Sequence, residues 1–152
     1  MSIVDGYRLE PMVGDPDDHR PDTVWALTVD GAAEGPRVED LAVIVERIAP
    51  GDPIPLHRHR QNEVVIVHGE GGVNTLGQER RTVAEGTVVY IPAGVSHGLL
   101  NTSDVPLPIE GVFPTTRIPI EYLERNPAPG TESDPPARPM MIDLRTGRSR
   151  PA

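Results

Sequence analysis

Two short stretches of the sequence carry side chains that could meet around one metal ion. In the first, His57 and His59 lie two residues apart, so both imidazoles point to the same side of an extended strand, and Glu63 keeps that parity after a short turn. In the second, His97 follows a Pro-Ala-Gly turn at 92–94. We interpret the two stretches as neighbouring β-hairpins whose inward faces converge on one ion.

The glycines around these side chains complete two motifs. The first motif reads glycine, five residues, His-x-His, three residues and glutamate, and it begins at Gly51. A motif of this type closes with a glycine that is separated from the glutamate by six residues. In this chain Gly69 comes one residue before that position and Gly71 one residue after it. The second motif is complete, with Gly86, Pro92, Gly94, His97 and Asn101. Two such motifs, in this order and about fifteen residues apart, resemble those of the cupin superfamily.

The resemblance implies a fold, a cofactor and an assembly. Small single-domain cupins are all-β proteins whose chain forms a double-stranded β-helix, a jelly-roll barrel. By this resemblance, His57, His59, Glu63 and His97 bind one divalent metal ion, for which Fe(II) is favoured and Zn, Mn, Ni or Cu are alternatives. A homodimer is also implied, and it would cover strands that are apolar on both faces.

Composition restricts the chemistry further. The 152 residues fit one domain, and the absence of cysteine leaves only nitrogen and oxygen ligands for a metal. The net charge is −9 and all fourteen basic residues are arginine, so we expect no nucleic-acid partner. No apolar stretch approaches the length of a membrane span and no signal peptide is evident, so we expect no membrane partner and a cytoplasmic protein.

Short runs with strand character, separated by Gly, Pro, Asp or Asn, predict an antiparallel sandwich or barrel independently of the motifs. We place the barrel at 22–126, after an irregular N-terminal arm at 1–21 that has neither a helical nor a strand period. The runs cover 23–29, 41–48, 63–67, 72–76, 81–83, 87–91, 97–101 and 105–113.

The sequence after the last predicted strand has a different character. Residues 118–125, IPIEYLER, predict one short C-terminal helix that ends at an Asn-Pro pair. A Pro-rich tail follows at 127–152. Its apolar segment at 140–144 either adds a strand to the barrel of a partner subunit, or caps it, or belongs to an unstructured terminus.

Five residues are candidates for roles beyond metal binding. Glu63 is the catalytic candidate, because a carboxylate displaced from the metal can act as a base. Gln61 shares the parity of the ligands but lies in the turn, and Asn101 is a candidate hydrogen-bonding support. Tyr90 could line the pocket mouth and Arg47 could anchor an anionic substrate, although packing or a surface salt bridge would also explain both residues.

Three functions fit these observations. The first is a mononuclear metal dioxygenase acting on a small enol or dicarbonyl-type substrate, since the open positions of such a metal can take substrate and dioxygen together. The second is a non-redox Zn or Mn cyclase, isomerase or decarboxylase. The third is a binding protein without turnover. Regulators of the family commonly carry a helix-turn-helix domain, for which the first twenty residues are too short and too acidic.

Overall fold

The chain folds into two antiparallel β-sheets that face each other, and a computed structural model describes residues 6–29, 38–136, 139–146 and 148–152. Within these ranges there are thirteen strands and no α-helix. The strands are β1 Glu10–Asp15, β2 Asp18–Leu27, β3 Ala42–Ile48, β4 Pro53–His59, β5 Glu63–Val67, β6 Gly72–Leu76, β7 Glu79–Val83, β8 Val88–Ile91, β9 His97–Asn101, β10 Leu107–Phe113, β11 Arg117–Tyr122, β12 Met140–Asp143 and β13 Arg148–Pro151.

From β3 to β11, all consecutive strands except β6 and β7 lie in opposite sheets. One sheet has the order β1-β2-β3-β10-β5-β8 and the other β13-β12-β11-β4-β9-β6-β7. The chain therefore crosses between the sheets several times, for example from β3 to β4, β4 to β5 and β5 to β6. This alternation produces a double-stranded β-helix, and it confirms the all-β jelly-roll prediction.

The interior is apolar because most strands alternate inward and outward side chains. In β5, for instance, positions 63, 65 and 67 are buried while 64 and 66 are only partly covered. One cluster of buried side chains fills the half of the barrel around Ile48, Val67 and Leu107, and a second surrounds Phe113 and Ile118. The metal-ligand candidates lie on inward-facing positions of the same strands.

The N-terminal segment is more regular than the irregular arm that the sequence predicted. Its described part forms the hairpin β1–β2, and β2 pairs with β3 at the edge of the first sheet. Contacts far apart in sequence hold the hairpin: Asp17 forms an ion pair with Arg125, and backbone bonds join Asn126 to Asp17 and His19. Such long-range partners leave no local period in the sequence.

The predicted short helix at 118–125 is wrong, since this segment forms β11. Strand β11 lies between β4 and β12, and its residue Ile120 pairs with both His59 and Met140. The tail then returns as β12 and β13, so its apolar segment extends a sheet of its own chain. Tertiary pairing overrides the weak helical preference of this short segment. The described residues include no helix long and apolar enough to cross a membrane.

Candidate metal centre

Strand pairing brings the candidate ligands together. His57 on β4 lies directly opposite His97 on β9, and His59 lies two residues further along β4 on the same face. Glu63 is the first residue of β5, which belongs to the other sheet, so the turn between β4 and β5 carries it across the barrel interior. All four side chains are at least nine-tenths buried.

The turns that carry the two histidine motifs are joined directly. The backbone nitrogen of Gly94 donates to the carbonyl oxygen of His59 over 2.7 Å, and that of Ala93 donates to Asn62 Oδ1 over 2.9 Å. Gly94 has a φ of +81°, a left-handed conformation that favours glycine. This turn therefore sets the position from which the chain enters β9 at His97.

The structure also identifies the closing glycine of the first motif. Gly71 has a φ of +85°, and a Cβ atom at this position would lie 2.6 Å from the Cβ of Ser103. The backbone conformation and the close approach both require glycine. The motif thus closes one residue later than the expected spacing, and this shift leaves the ligand strands unchanged.

Backbone carbonyl groups orient all three imidazoles. Each ring bonds through Nδ1 to a carbonyl oxygen two residues away in sequence, so Nδ1 carries the proton and the Nε2 lone pair of the neutral ring is free to bind a metal. The bonds are His57 to Pro55 at 2.7 Å, His59 to Gln61 at 2.8 Å and His97 to Val95 at 2.9 Å.

The Nε2 atoms of two of the three histidines lie close to one carboxylate oxygen. The ligand atoms of the three histidines lie within 4.8 Å of one another, and Glu63 Oε2 is 3.0 Å from His59 Nε2 and 3.2 Å from His97 Nε2. The contact with His97 does not have hydrogen-bond geometry, so this buried nitrogen has no hydrogen-bond partner. Lone pairs that face a carboxylate in this way repel each other unless a proton or a cation lies among them.

A metal ion fits this donor set. Two ligand atoms that are each about 2.1 Å from one ion, at right angles, are about 3 Å apart, which is close to the separations between Glu63 and the two histidines. Nitrogen and oxygen donors suit Zn, Fe, Mn, Ni and Cu. The three histidines could therefore hold a metal ion, with Glu63 beside them.

The protonation states also match those of metal ligands. Burial, together with the neighbouring His97, lowers the pKa of His57 to about 3, so its ring is neutral near pH 7. Burial alone would raise the pKa of Glu63, but hydrogen bonds and charge interactions with the imidazoles of His59 and His97, when a proton lies on Nε2, outweigh burial and lower the pKa to about 2. A neutral imidazole and an ionised carboxylate are the forms that bind a metal.

A cavity of about 300 Å³ opens beside the donor set and has largely apolar walls, including Ile44, Val65, Leu99, Ile109 and Phe113. Gly111 on β10 keeps space next to Glu63. A Cβ atom there would lie 3.4 Å from Glu63 Oε1, 3.3 Å from the ring of Phe113 and 3.1 Å from Ile44. Gly111 could not be predicted from the sequence, because a glycine within a strand does not show which side chains lie next to it.

A second polar group lies at another part of the cavity wall. We call Asp15, Asp18, Arg20, Glu46 and Tyr122 the inner acidic cluster; all of them line the cavity. This cluster was not predicted from the sequence, because four of its members belong to segments predicted to be an irregular arm or a helix. Glu46 was the available signal, since it occupies an inward-facing position between Ile44 and Ile48 on β3.

The four further candidates from the sequence do not line the cavity as the structure describes it. Tyr90 is 56% exposed on the outer face of β8, and Arg47 is exposed on the outer face of β3. Gln61 lies in the turn, where its carbonyl group bonds His59. Asn101 is fully buried and donates to the carbonyl oxygens of Ile48 and Val105, so it ties strand ends together.

The fold and the three buried histidines together indicate the class of this protein: a β-barrel with a candidate metal site in its interior. Residues 44–109 match the family model of the cupin domain, and this chain carries one cupin domain, as its two motifs indicated.

Two curated proteins are similar in sequence to part of this chain. The chain is 37% identical over 59 residues to the HTH-type transcriptional activator RhaR of Mannheimia succiniciproducens, covering 39% of this chain and 21% of the relative. It is 34% identical over 64 residues to gentisate 1,2 dioxygenase 1 of Aquipseudomonas alcaligenes, covering 41% and 18%. The chain thus spans about a fifth of the length of these two curated relatives.

Among solved structures, the polyketide cyclase RemF from Streptomyces resistomycificus superposes with a TM-score of 0.69 at 18% identity. The superposition covers 90% of this chain and 94% of the cyclase. At this identity the likeness concerns the fold, and it extends beyond the motif region to most of both chains.

Proposed function

We propose that this protein is a metal-dependent cupin enzyme, a mononuclear metal dioxygenase that acts on a small enol or dicarbonyl-type substrate. The observation that carries the proposal is the convergence of His57, His59, His97 and Glu63 at the wall of a largely apolar cavity. These four residues would hold one ion, preferably Fe(II). When bound, such an ion supplies Lewis acidity and activates dioxygen.

The residues of the chain have separate tasks in this proposal. The carbonyl groups that bond Nδ1 keep the three rings in one tautomer and orientation. The apolar walls exclude water from a reactive substrate. Glu63 is the proposed catalytic residue: Oε2 lies among the imidazoles, so Oε1, on the side of Gly111, is the oxygen that would take a proton from the enol hydroxyl.

The relatives support this proposal in part. Gentisate 1,2 dioxygenase 1 shares the sequence of the motif region at 34% identity, although the match spans only 18% of that enzyme. Its name supports oxidative chemistry for a cupin site of this kind, and the substrate of the present protein does not follow from it.

Non-redox catalysis is the second candidate, and the inner acidic cluster favours it. Tyr122 and the carboxyl group of Asp15 line the same cavity as the donor set and could move protons during a cyclisation, isomerisation or decarboxylation with Zn or Mn. The fold similarity to the polyketide cyclase agrees with this candidate. Binding without turnover is the third candidate, and the similarity to the transcriptional activator agrees with it.

An oxygen electrode separates these functions. Protein purified without oxygen is loaded with Fe(II) or Zn and mixed with 1,3-dicarbonyls, catechols and flavonol-like compounds. We expect substrate-dependent oxygen uptake with Fe(II) and none with Zn. Turnover of a compound by the Zn form without oxygen would favour the second candidate, and binding without any turnover would favour the third.

Matched variants connect the activity to the site. His57→Ala and His97→Ala remove one candidate ligand each and are expected to abolish oxygen uptake. His68→Ala is the control, because this exposed histidine lies on the outer face, 3.5 Å from Glu110 Oε1. Equal activity of all three variants would contradict the proposed site.

A further inference from the structure

The inner acidic cluster is close to the candidate metal centre but separate from its ligands. Tyr122 connects the two, because it pairs in register with His57 across β11 and β4 and its ring centroid is 6.1 Å from that of His57. Tyr122 also interacts with Asp15 on β1. A substrate bound at the metal centre would therefore extend toward Asp15.

Arg20 is not available to a ligand. Its Nε and Nη2 atoms donate to both carboxylate oxygens of Asp18, over 2.7 and 2.8 Å, and Nη1 donates to Glu46 over 3.1 Å. No other arginine lines the cavity among the described residues. This end of the cavity therefore contains three carboxyl groups, those of Asp15, Asp18 and Glu46, but only the guanidinium group of Arg20 among the described residues. The excess of carboxyl groups disfavours binding of an anionic group of a substrate.

Asp15 is the member of the cluster with an unused binding atom. The residue is 7% exposed, its Oδ1 accepts a hydrogen bond from the backbone nitrogen of Asp17 over 2.9 Å, and its Oδ2 has no hydrogen-bond partner. Burial raises the pKa of Asp15, against the opposing effects of the Asp17 backbone and Tyr122. A buried carboxylate oxygen without a donor is destabilising, and ligand-binding sites are where such atoms are retained.

We propose that the inner acidic cluster binds a hydrogen-bond donor of the substrate, a hydroxyl or an ammonium group, through Asp15 Oδ2. The substrate would then have a metal-binding oxygen pair at one end, an apolar body along the cavity walls and a donor group at the other end. The inference rests on the proposed function for the metal-bound end only. Carboxylates and phosphates are disfavoured at the Asp15 end, because Arg20 is already paired and no second arginine lines the cavity in the described part of the chain.

Calorimetric titration with four probes tests the proposal without turnover, using the Zn-loaded protein. Naphthalene-2,3-diol carries the chelating oxygen pair alone. Its 6-hydroxy and 6-aminomethyl derivatives add a hydroxyl or an ammonium donor, and its 6-fluoro derivative adds a group of similar size to hydroxyl that cannot donate. We expect at least one donor derivative to bind about tenfold or more tightly than the fluoro derivative, as a hydrogen bond to a charged acceptor would provide.

The variant Asp15→Asn assigns the effect to one atom. Its amide oxygen can keep the bond from Asp17, while its NH2 group replaces the free acceptor by a donor. We expect the tenfold preference to fall to about threefold or less. Asp22→Asn, an equal change of charge at an exposed position of β2, should retain the preference. Thermal denaturation should show Asp15→Asn to be folded and about as stable as the unsubstituted protein, because the substitution keeps the bond from the Asp17 backbone.

The outcomes distinguish the two proposals. Equal binding of fluoro and donor derivatives to the unsubstituted protein would overturn the inference while leaving the metal-bound end intact, and so would an unchanged preference in Asp15→Asn. A larger gain from the aminomethyl than from the hydroxy derivative would assign the donor as an ammonium group. Absence of binding by naphthalene-2,3-diol itself would overturn the proposed function together with this inference.

Discussion

His57 and His97 lie directly opposite each other on adjacent strands, with ring centroids 4.1 Å apart, although forty residues separate them in the sequence. Two imidazolium ions could not share this buried position, because their charges would repel each other at low dielectric. The pair is therefore compatible with neutral rings or with a shared metal ion. This relationship makes the stability of the metal-free protein depend on pH.

We predict that acid destabilises the metal-free protein. The pKa of His57 is about 3 in the folded state and 6.5 for the unperturbed side chain, so the unfolded chain binds more protons between these values. The free energy of unfolding should therefore fall as the pH drops below about 6.5, by about 2 kcal/mol at pH 5. Glu63 acts in the same direction at lower pH. Its pKa is lowered from 4.5 to about 2 in the folded state, so its contribution to the free energy of unfolding is present above pH 4.5 and is lost as the pH falls toward about 2.

Urea denaturation with a chelator, at pH 7.5 and pH 5, measures this dependence. The variant His57→Asn should have a shallower dependence over the same interval, because it removes the group that titrates. With a net charge of −9, the protein would become more stable on acidification if general charge repulsion dominated. Equal or greater stability at pH 5 would therefore contradict the account of the histidine pair.

The buried ion-pair network of the inner acidic cluster gives a second prediction. The variant Arg20→Met keeps much of the apolar stem but leaves Asp18 and Glu46 buried without a cation, so we expect a loss of about 3–5 kcal/mol in the free energy of unfolding. Arg58→Met is the matched control, since its pair with Glu121 lies at the surface, and it should change stability little. Similar urea midpoints for the two variants would contradict the role of the network.

A third prediction concerns assembly. Successive register pairs place Val43, Val112, Val64 and Tyr90 side by side on the outer face of the first sheet, and Ile66 pairs with Val88 in the next row. Val88 and Tyr90 are more than half exposed. We expect this apolar face to be the interface of a homodimer, because a contiguous exposed apolar patch favours association.

Light scattering after gel filtration checks the assembly. The protein should have twice the mass of the chain, and Tyr90→Glu should have the mass of one chain. Val105→Glu changes an equally exposed residue, 56% in both cases, in the loop between β9 and β10 and should remain a dimer. A monomeric unsubstituted protein, or dissociation by Val105→Glu alone, would show that this face is not the interface.

The sequence predicted the central barrel well and its periphery poorly, for a physical reason. Strands such as β5, β6 and β9 match the predicted runs, because turn-forming residues separate these runs in the sequence. The N-terminal hairpin is held by distant partners, such as the bond from Asn126 to His19, and its sequence has no strand period. β11 forms because it pairs with β4 on one side and β12 on the other. Such pairing cannot be predicted from the helix or strand propensity of the segment itself.

The candidate site shows the same division. The convergence of the three candidate histidines could be predicted, because metal chemistry restricts both the residue types and their spacing on strands. The inner acidic cluster could not, because Asp15 and Tyr122 are about a hundred residues apart and neither belongs to a motif. Strand parity explains why the candidate Arg47 does not reach the cavity: it follows the inward-facing Glu46 and therefore points outward.

Metal content tests the central claim most directly. The protein is stripped with a chelator, dialysed against Zn and analysed by inductively coupled plasma mass spectrometry. The account predicts about one ion per chain for the unsubstituted protein and for His68→Ala, and roughly a tenth of this or less for His57→Ala and His97→Ala under limiting Zn. No bound metal in the unsubstituted protein, or full retention by the folded His57→Ala and His97→Ala variants, would contradict it.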